Sequence, residues 1–383
     1  MGRRLAILAF LCLTLLMGLV FPKVWERAMS REDALPPGIS APEKRLLRVW
    51  LMEDTLGASS WLKRQSSRME SAQSGVSVYL RTARPQELLQ PDTVLPDLII
   101  FSPGAVKNPE SLFLPLTGEL PLSDSALRAG RWQTAQYAVP VCMDGYVLAY
   151  DPALTGTAAA TPAPAPLLGI GAVPSVTPAP EKTTSFDDLL ASLAKIPRGK
   201  DTAYDFQCAA GMPLMLLSSL RSGDTGLAPG ALPSSFGNAS RDTVYAEFLA
   251  GRCRACMLPS RYLRSLALKN KPFALLMPPL PATDMYLAAG VVQGEGRDLA
   301  LAYLLMLLSH EGQQDLSPSG LMAVSQAVSP YAADPVFGQV EASLKGDLIL
   351  PNAFSYDEQG LKNVSLSVFT NGGAILNIFE SIR

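Results

Sequence analysis

RLLRVWLM (45–52), GASSWLKRQSSRMESAQS (57–74), VSVYL (76–80) and LPDLIIF (95–101) are the stretches that decide the fold of this chain. The first, second and fourth of these carry apolar residues in dense or periodic runs. RLLRVWLM is rich in the branched and aromatic residues that suit a strand. In the second stretch Trp61, Leu62 and Met69 recur among polar residues at the spacing of an amphipathic helix. Gly75 then starts a second strand, Gln86 to Gln90 a short helix, and LPDLIIF a third, buried strand that Ser102-Pro103-Gly104 ends. A strand–helix–strand–helix–strand order implies parallel strands joined by helical crossovers, and hence an α/β layer architecture.

Working outward, Arg3 and Arg4 precede seventeen uncharged, mostly apolar residues, Leu5 to Phe21. A positive pair ahead of an apolar run is read by secretion machinery, with the positive flank left in the cytoplasm. The expected location of the folded body is therefore extracytoplasmic. At ~1.5 Å per residue the run spans about 25 Å, a little under a ~30 Å hydrocarbon core. Residues 1–22 read as a signal peptide or a retained membrane anchor. Gly18, Leu19 and Val20 offer no clean cleavage site and Cys12 lies inside the run, which favours the anchor over both cleavage and lipidation. The charged, then Pro-rich residues 23–44 read as a tether.

Beyond the leader the chain exceeds what one hydrophobic core usually supports, so two lobes are expected. Hydrophobic residues make up 48% of the 383, enough for a sizeable core. Lys+Arg 32 against Asp+Glu 34 leaves a net charge of −2, with no basic run beyond the leader, which disfavours a nucleic-acid partner. Cys253 and Cys256 form a C-x-x-C, but CRACML after Gly251 reads as an interior strand, on which residues three apart face opposite ways. Two buried structural thiols are the expected state. A lone histidine, His310, and a single C-x-x-C leave no metal site, and no cofactor motif is present.

GYVLAY (145–150) reads as a core strand, and then the character changes. From Thr155 to Pro180 the chain carries no charge and six prolines among Ala, Thr and Gly, so 154–184 reads as a solvated low-complexity insertion. Helical patterns return at 186–193, with Thr184 or Ser185 as N-cap, and at 211–220, 243–249 and 297–309.

Seven segments in order carry a resemblance: RVWLMEDTLGASSWLKRQSSRMES with SGVSVYLRT, LPDLIIFSPG, YAVPVCMDGYVLAYDPAL, TSFDDLLASLAKI, FLAGRCRACMLPSRYLRSL, LAYLLMLLSHEGQQDL and LKGDLILPN. Together they resemble the extracellular solute-binding proteins of ABC transporters, in the carbohydrate-binding, maltodextrin-like group. The resemblance covers residues 45 to 352 and departs in the missing lipidated cysteine, the insertion and the modest 7% aromatic content. It implies a two-lobed periplasmic-binding-protein-like fold of type II, with a hinge and an inter-lobe crevice, preceded by one hydrophobic helix. Lobe one would hold 45–138 plus 288–328, lobe two 139–287 plus 329–383. The implied function is capture of a small solute, a sugar or oligosaccharide, for the membrane subunits of an ABC importer. The alternative is a membrane-tethered sensor or interaction domain of the same fold without a transport role.

Ligand in such a fold lies at loops after the carboxyl ends of strands. Glu53 and Asp54 follow the first strand, where they accept ligand hydroxyls or else form a solvated turn that caps the next helix. Ser102 follows the third strand, as a ligand group or an ordinary turn. Asp144 and Tyr146 follow the crossover, Tyr146 turning to crevice or core. The resemblance places Arg261 and Tyr262 on a ligand-side loop, with surface exposure as the alternative, and Asp284 and Tyr286 near the second crossing. Trp50 and Trp61 suit the core; Trp132 suits either setting. No G-x-S-x-G, H-E-x-x-H or phosphate-cradling loop appears, and adjacent acids diverge on an extended segment, so an enzyme is not expected.

Overall fold

The computed structural model describes residues 45–90, 93–156, 159, 185–221, 236–278, 281–345 and 348–371. The leader, the tether and nearly all of the 154–184 insertion fall outside them. Within them the chain builds two five-stranded sheets. The first has the order β2-β1-β3-β12-β6, from β1 (Arg45–Met52), β2 (Val76–Ala83), β3 (Leu98–Phe101), β6 (Val139–Met143) and β12 (Tyr286–Val291). Two short strands, β4 (Arg131–Trp132) and β5 (Ala135–Gln136), form a hairpin of their own. The second sheet has the order β11-β7-β10-β8-β9, from β7 (Tyr146–Tyr150), β8 (Tyr204–Ala209), β9 (Phe236–Ala239), β10 (Cys253–Pro259) and β11 (Ala274–Leu276).

The opening stretch folds as its pattern dictates. β1 and β3 pair in parallel from Val49↔Leu98 to Met52↔Phe101, and the Ser59–Ala72 helix joins β1 to β2. That helix buries Trp61, Leu62, Gln65, Ser66 and Met69, one face at three- and four-residue spacing. Trp61 donates its indole N–H to the Gly312 carbonyl at 2.9 Å, so a large apolar anchor also leaves no polar group stranded. Asp97 is buried just ahead of β3, where its carboxylate accepts from the Arg48 amide at 2.7 Å and the Arg48 guanidinium at 3.2 Å. The short helix expected at 86–90 is a 3₁₀ turn, Pro85–Leu89.

In the second sheet β8, β9 and β10 run parallel, linked by the Met212–Arg221 and Arg241–Leu249 helices, while β7 and β11 run antiparallel to their neighbours. β10 is buried along its whole length, and even Arg254 lies inside. Its guanidinium pairs with Asp205 at 2.5 Å and donates to the carbonyls of Leu193 and Ile196, so the buried charge has its partners. Cys142, Cys208, Cys253 and Cys256 are free and buried. Burial raises all four thiols, Cys253 to about 12, which disfavours the thiolate that redox chemistry requires. Ser185 caps the Phe186–Lys195 helix in a reciprocal box with Asp188.

The chain changes sheet later than its sequence suggested. β6 pairs with β12 in the first sheet, although 139–143 were read as the start of the second lobe, and β12 begins at Tyr286 rather than after 287. Pairing decides this: 139–143 and 146–150 are two apolar runs, and the break between the sheets falls at Asp144 and Gly145 that separate them. Three segments, 144–145, 283–285 and 348–353, lie side by side where the sheets meet. Asp144 donates its amide to the Met285 carbonyl, Thr283 to the Ile349 carbonyl, and Ile349 to the Pro281 carbonyl. Among the described residues no helix is long and apolar enough to cross a membrane.

Candidate functional site

The carboxyl ends of β1, β3 and β6 in one sheet, and of β8, β9 and β10 in the other, lie near these three segments. Antiparallel pairing carries the start of β7 to the same end, since Tyr146 stands opposite Pro259 at the close of β10. Most candidate residues gather at this end.

Glu53 is exposed and holds a left-handed backbone, φ 48°, its amide bonded to the Ala83 carbonyl. Asp54 serves the next helix: its carboxylate accepts from the amides of Ala58 and Ser59 at 2.7 and 3.0 Å and from the Ser59 hydroxyl. Ser102 shares a 2.6 Å hydrogen bond with Thr55, which ties the loops after β1 and β3 together. These residues form one half-exposed polar rim.

Asp284 stands at the centre. Its Oδ1 accepts from the Tyr146 hydroxyl at 2.5 Å. Its Oδ2 accepts from Arg241 Nη2 at 2.8 Å and from the Tyr356 hydroxyl. Arg241 Nε also donates to the Tyr146 oxygen at 3.2 Å, closing the network. Burial pushes both phenols well above their ordinary range, so they act as donors to the carboxylate. Arg241 keeps 28% of its side chain exposed, whereas the Asp284 side chain is 1% exposed.

Tyr356 reaches toward both sheets. A Cβ at Gly104, after β3, would come within 2.9 Å of the Tyr356 carbonyl, and one at Gly211, after β8, within 3.9 Å of its hydroxyl. Both glycines hold positive φ, +82° and +78°, where a side chain is strained regardless of space. Lys107 donates to the same carbonyl at 3.0 Å.

Asp144 is wholly buried. Its Oδ1 accepts from the Ser260 hydroxyl at 2.5 Å and the Arg261 amide at 3.3 Å, while Oδ2 has only the Arg261 guanidinium, 3.5 Å away without hydrogen-bond geometry. Burial raises this carboxyl above its ordinary range, with Arg261 opposing the shift. Tyr262 stacks on Tyr245, ring centroids 4.5 Å apart, and donates to Asp242. Tyr286 is 0% exposed and donates to the Pro351 carbonyl at 2.6 Å, so it faces the interior of the molecule. Trp50 and Trp61 are buried; half-buried Trp132 packs edge-on to Phe354 and donates to Glu110.

The structure thus brings Tyr146 and Asp284 into direct contact and sets Asp144 beside Arg261. Glu53, Asp54 and Ser102 form a separate rim, and Tyr286 meets neither group. Arg241 and Tyr356 were missed by sequence reading. Ser240-Arg241, a cap followed by a helix start, was a signal for the first; Tyr356 had none, because the preceding LPNAFS looks like an ordinary turn. Among the described residues no cluster of His, Cys, Asp and Glu could hold a metal ion.

No family model matches this chain, and no curated protein matches it in sequence. Its backbone is similar to that of the GacH receptor of Streptomyces glaucescens GLA.O, with a TM-score of 0.58 and 12% identity over 88% of this chain and 97% of that one. That receptor has been solved unliganded and with acarbose and an acarbose homologue, and compared with acarbose-loaded maltose-binding protein of Salmonella typhimurium. The likeness is one of fold: this chain shares the α/β fold of that receptor.

Proposed function

We propose that this protein is an extracytoplasmic solute-binding protein that captures a small polyhydroxylated solute, a sugar or oligosaccharide, between two lobes joined by a hinge. The observation that carries the reading is the convergence of strand carboxyl ends from both sheets on one polar region, with half-exposed Arg241, Arg261, Tyr262 and Tyr356 on one side and Glu53, Thr55 and Ser102 on the other. Planar donors and acceptors match hydroxyl pairs, and tyrosine faces match the C–H surfaces of a sugar ring. Each lobe is one sheet with its helices, and the pairing of β6 with β12 supports 45–143 plus 286–328 for the first and 146–282 plus 329–383 for the second. Segments 144–145, 283–285 and 348–353 are the hinge. The N-terminal helix anchors the protein in the membrane, and the membrane subunits of an ABC importer receive the solute.

A second reading, a membrane-tethered sensor or interaction domain without transport, is favoured by one observation. The central polar groups are satisfied by each other, all three donors to Asp284 coming from the chain itself. Thermal-shift screening of the full chain against a carbohydrate library separates the two, since a ligand that binds the native state raises its melting temperature. A concentration-dependent rise with one sugar class supports capture. A well-folded sample that responds to none of them leaves the second reading standing.

A further inference from the structure

Two of the three side-by-side segments lead into a group that donates to a carboxylate on the third. Tyr146 follows the 144–145 link, Asp284 belongs to the 283–285 link, and Tyr356 follows 348–353. A fourth group, Arg241, opens the Arg241–Leu249 helix of the second sheet. Tyr356 is held by its carbonyl to Lys107, in the loop after β3 of the first sheet. The path Lys107–Tyr356–Asp284–Arg241 therefore runs from the loop after β3 to the helix after β9, through one side chain that is 1% exposed. We propose that Asp284 is the pin of the inter-sheet linkage, a single carboxylate that fastens all three linking segments and the Arg241 helix and thereby sets how far apart the carboxyl ends of the two sheets stand.

The chemistry suits a pin. One carboxylate and one guanidinium cancel in charge, and two neutral phenols complete the carboxylate's acceptor sites, so the buried ion is paired and hydrogen-bonded. Two of its three partners, Tyr356 and Arg241, flank it on either side of the path, so separating the sheets strips donors from a carboxylate that water cannot readily reach. The linkage is then two-state: fully made, or broken at a cost in unsatisfied groups. The binding consequence rests on the crevice reading. A pin that favours the approached setting biases the population available to a solute between the sheets.

Hydrogen exchange on the ligand-free full chain tests the pin without any ligand, so failure of the carbohydrate reading leaves the test intact. The reporters are the amides of Asp144, Thr283, Ile349 and Gly104, bonded to Met285, Ile349, Pro281 and Ala353 respectively. The internal controls are 49–51 in β1 and 255–257 in β10. Tyr356→Phe removes only a hydroxyl, and Arg241→Gln ends the side chain near the Nε position, taking away the charge and the Nη2 donor. Each is expected to speed exchange at the four reporters by about tenfold, the worth of one charge-assisted hydrogen bond, while the controls stay within twofold. Equal acceleration everywhere would mark a merely structural role, and unchanged reporters in Tyr356→Phe would remove the pin; either result overturns the proposal.

Discussion

Two buried aspartates stand at neighbouring links between the sheets, and they are treated differently. Asp284 receives three side-chain donors, one of them a guanidinium at 2.8 Å. Asp144, as deeply buried, receives the Ser260 hydroxyl and a long amide bond and leaves Oδ2 unpartnered, with Arg261 at 3.5 Å. The first is a carboxylate built into its surroundings, the second one whose ionised form is tolerated. Burial alone does not fix the role of a charge. The number and geometry of donors decide whether it holds the molecule together or loads it with a cost.

The sharpest way to break this contrast is to delete each carboxylate. Asp284→Ala strands a mostly buried guanidinium and two phenols and is expected to lower stability by about 3–5 kcal/mol in urea unfolding. If Asp144→Ala proves the more costly of the two, the contrast is inverted. Next in size, Gly104→Ala places a side chain at φ +82° against the Tyr356 carbonyl, with an expected loss of about 1–3 kcal/mol. No loss there would mean that Tyr356 yields freely and is not held as the pin requires.

Asp144→Asn is expected to cost only about 1 kcal/mol at neutral pH, and the sign of its pH dependence is fixed. The folded-state pKa of Asp144 is raised by burial above the ordinary 3.8, so its stabilising contribution is complete below the unfolded value and lost as pH rises through the folded one. The wild type should therefore gain on Asp144→Asn as the pH falls from neutrality into the ordinary carboxylate range. Urea midpoints of both proteins across that window measure it, and a gap that widens the other way would show Asp144 to be a well-paired carboxylate like Asp284. The smallest effect belongs to the rim: Glu53→Ala should change stability by less than about 0.5 kcal/mol, because its side chain is exposed, while weakening any captured sugar. Calorimetric titration with a sugar found by the screen checks the second half; unchanged affinity removes Glu53 from the site.

Much of the fold was legible because it is local. Strand and helix patterns in 45–101 come from side-chain periodicity within a few residues, and they reappear as β1, the Ser59–Ala72 helix, β2 and β3. The strand at Cys253–Pro259 and the capped helix at Phe186–Lys195 were read for the same reason. The placement of several candidate residues was legible too, since residues that follow a strand directly must lie at its carboxyl end, as Glu53, Ser102, Asp144 and Arg261 do. Which of two adjacent roles each takes was not. Asp54 turned to its helix and Tyr286 to the interior, because cap geometry and facing are set by backbone angles that composition does not reveal.

The sequence by itself determined an α/β body with parallel strands and the uncharged tract from Thr155 to Pro180, since each follows from composition or short-range period. Only the tertiary structure decided that β6 belongs to the first sheet, that Arg254 is a paired core charge and that Asp284 gathers Tyr146, Arg241 and Tyr356. The physical reason is sequence distance. The partners of Asp284 lie 43 to 138 residues from it, and an attraction between side chains so far along the chain leaves no periodicity to read. It exists only once packing has brought the segments together.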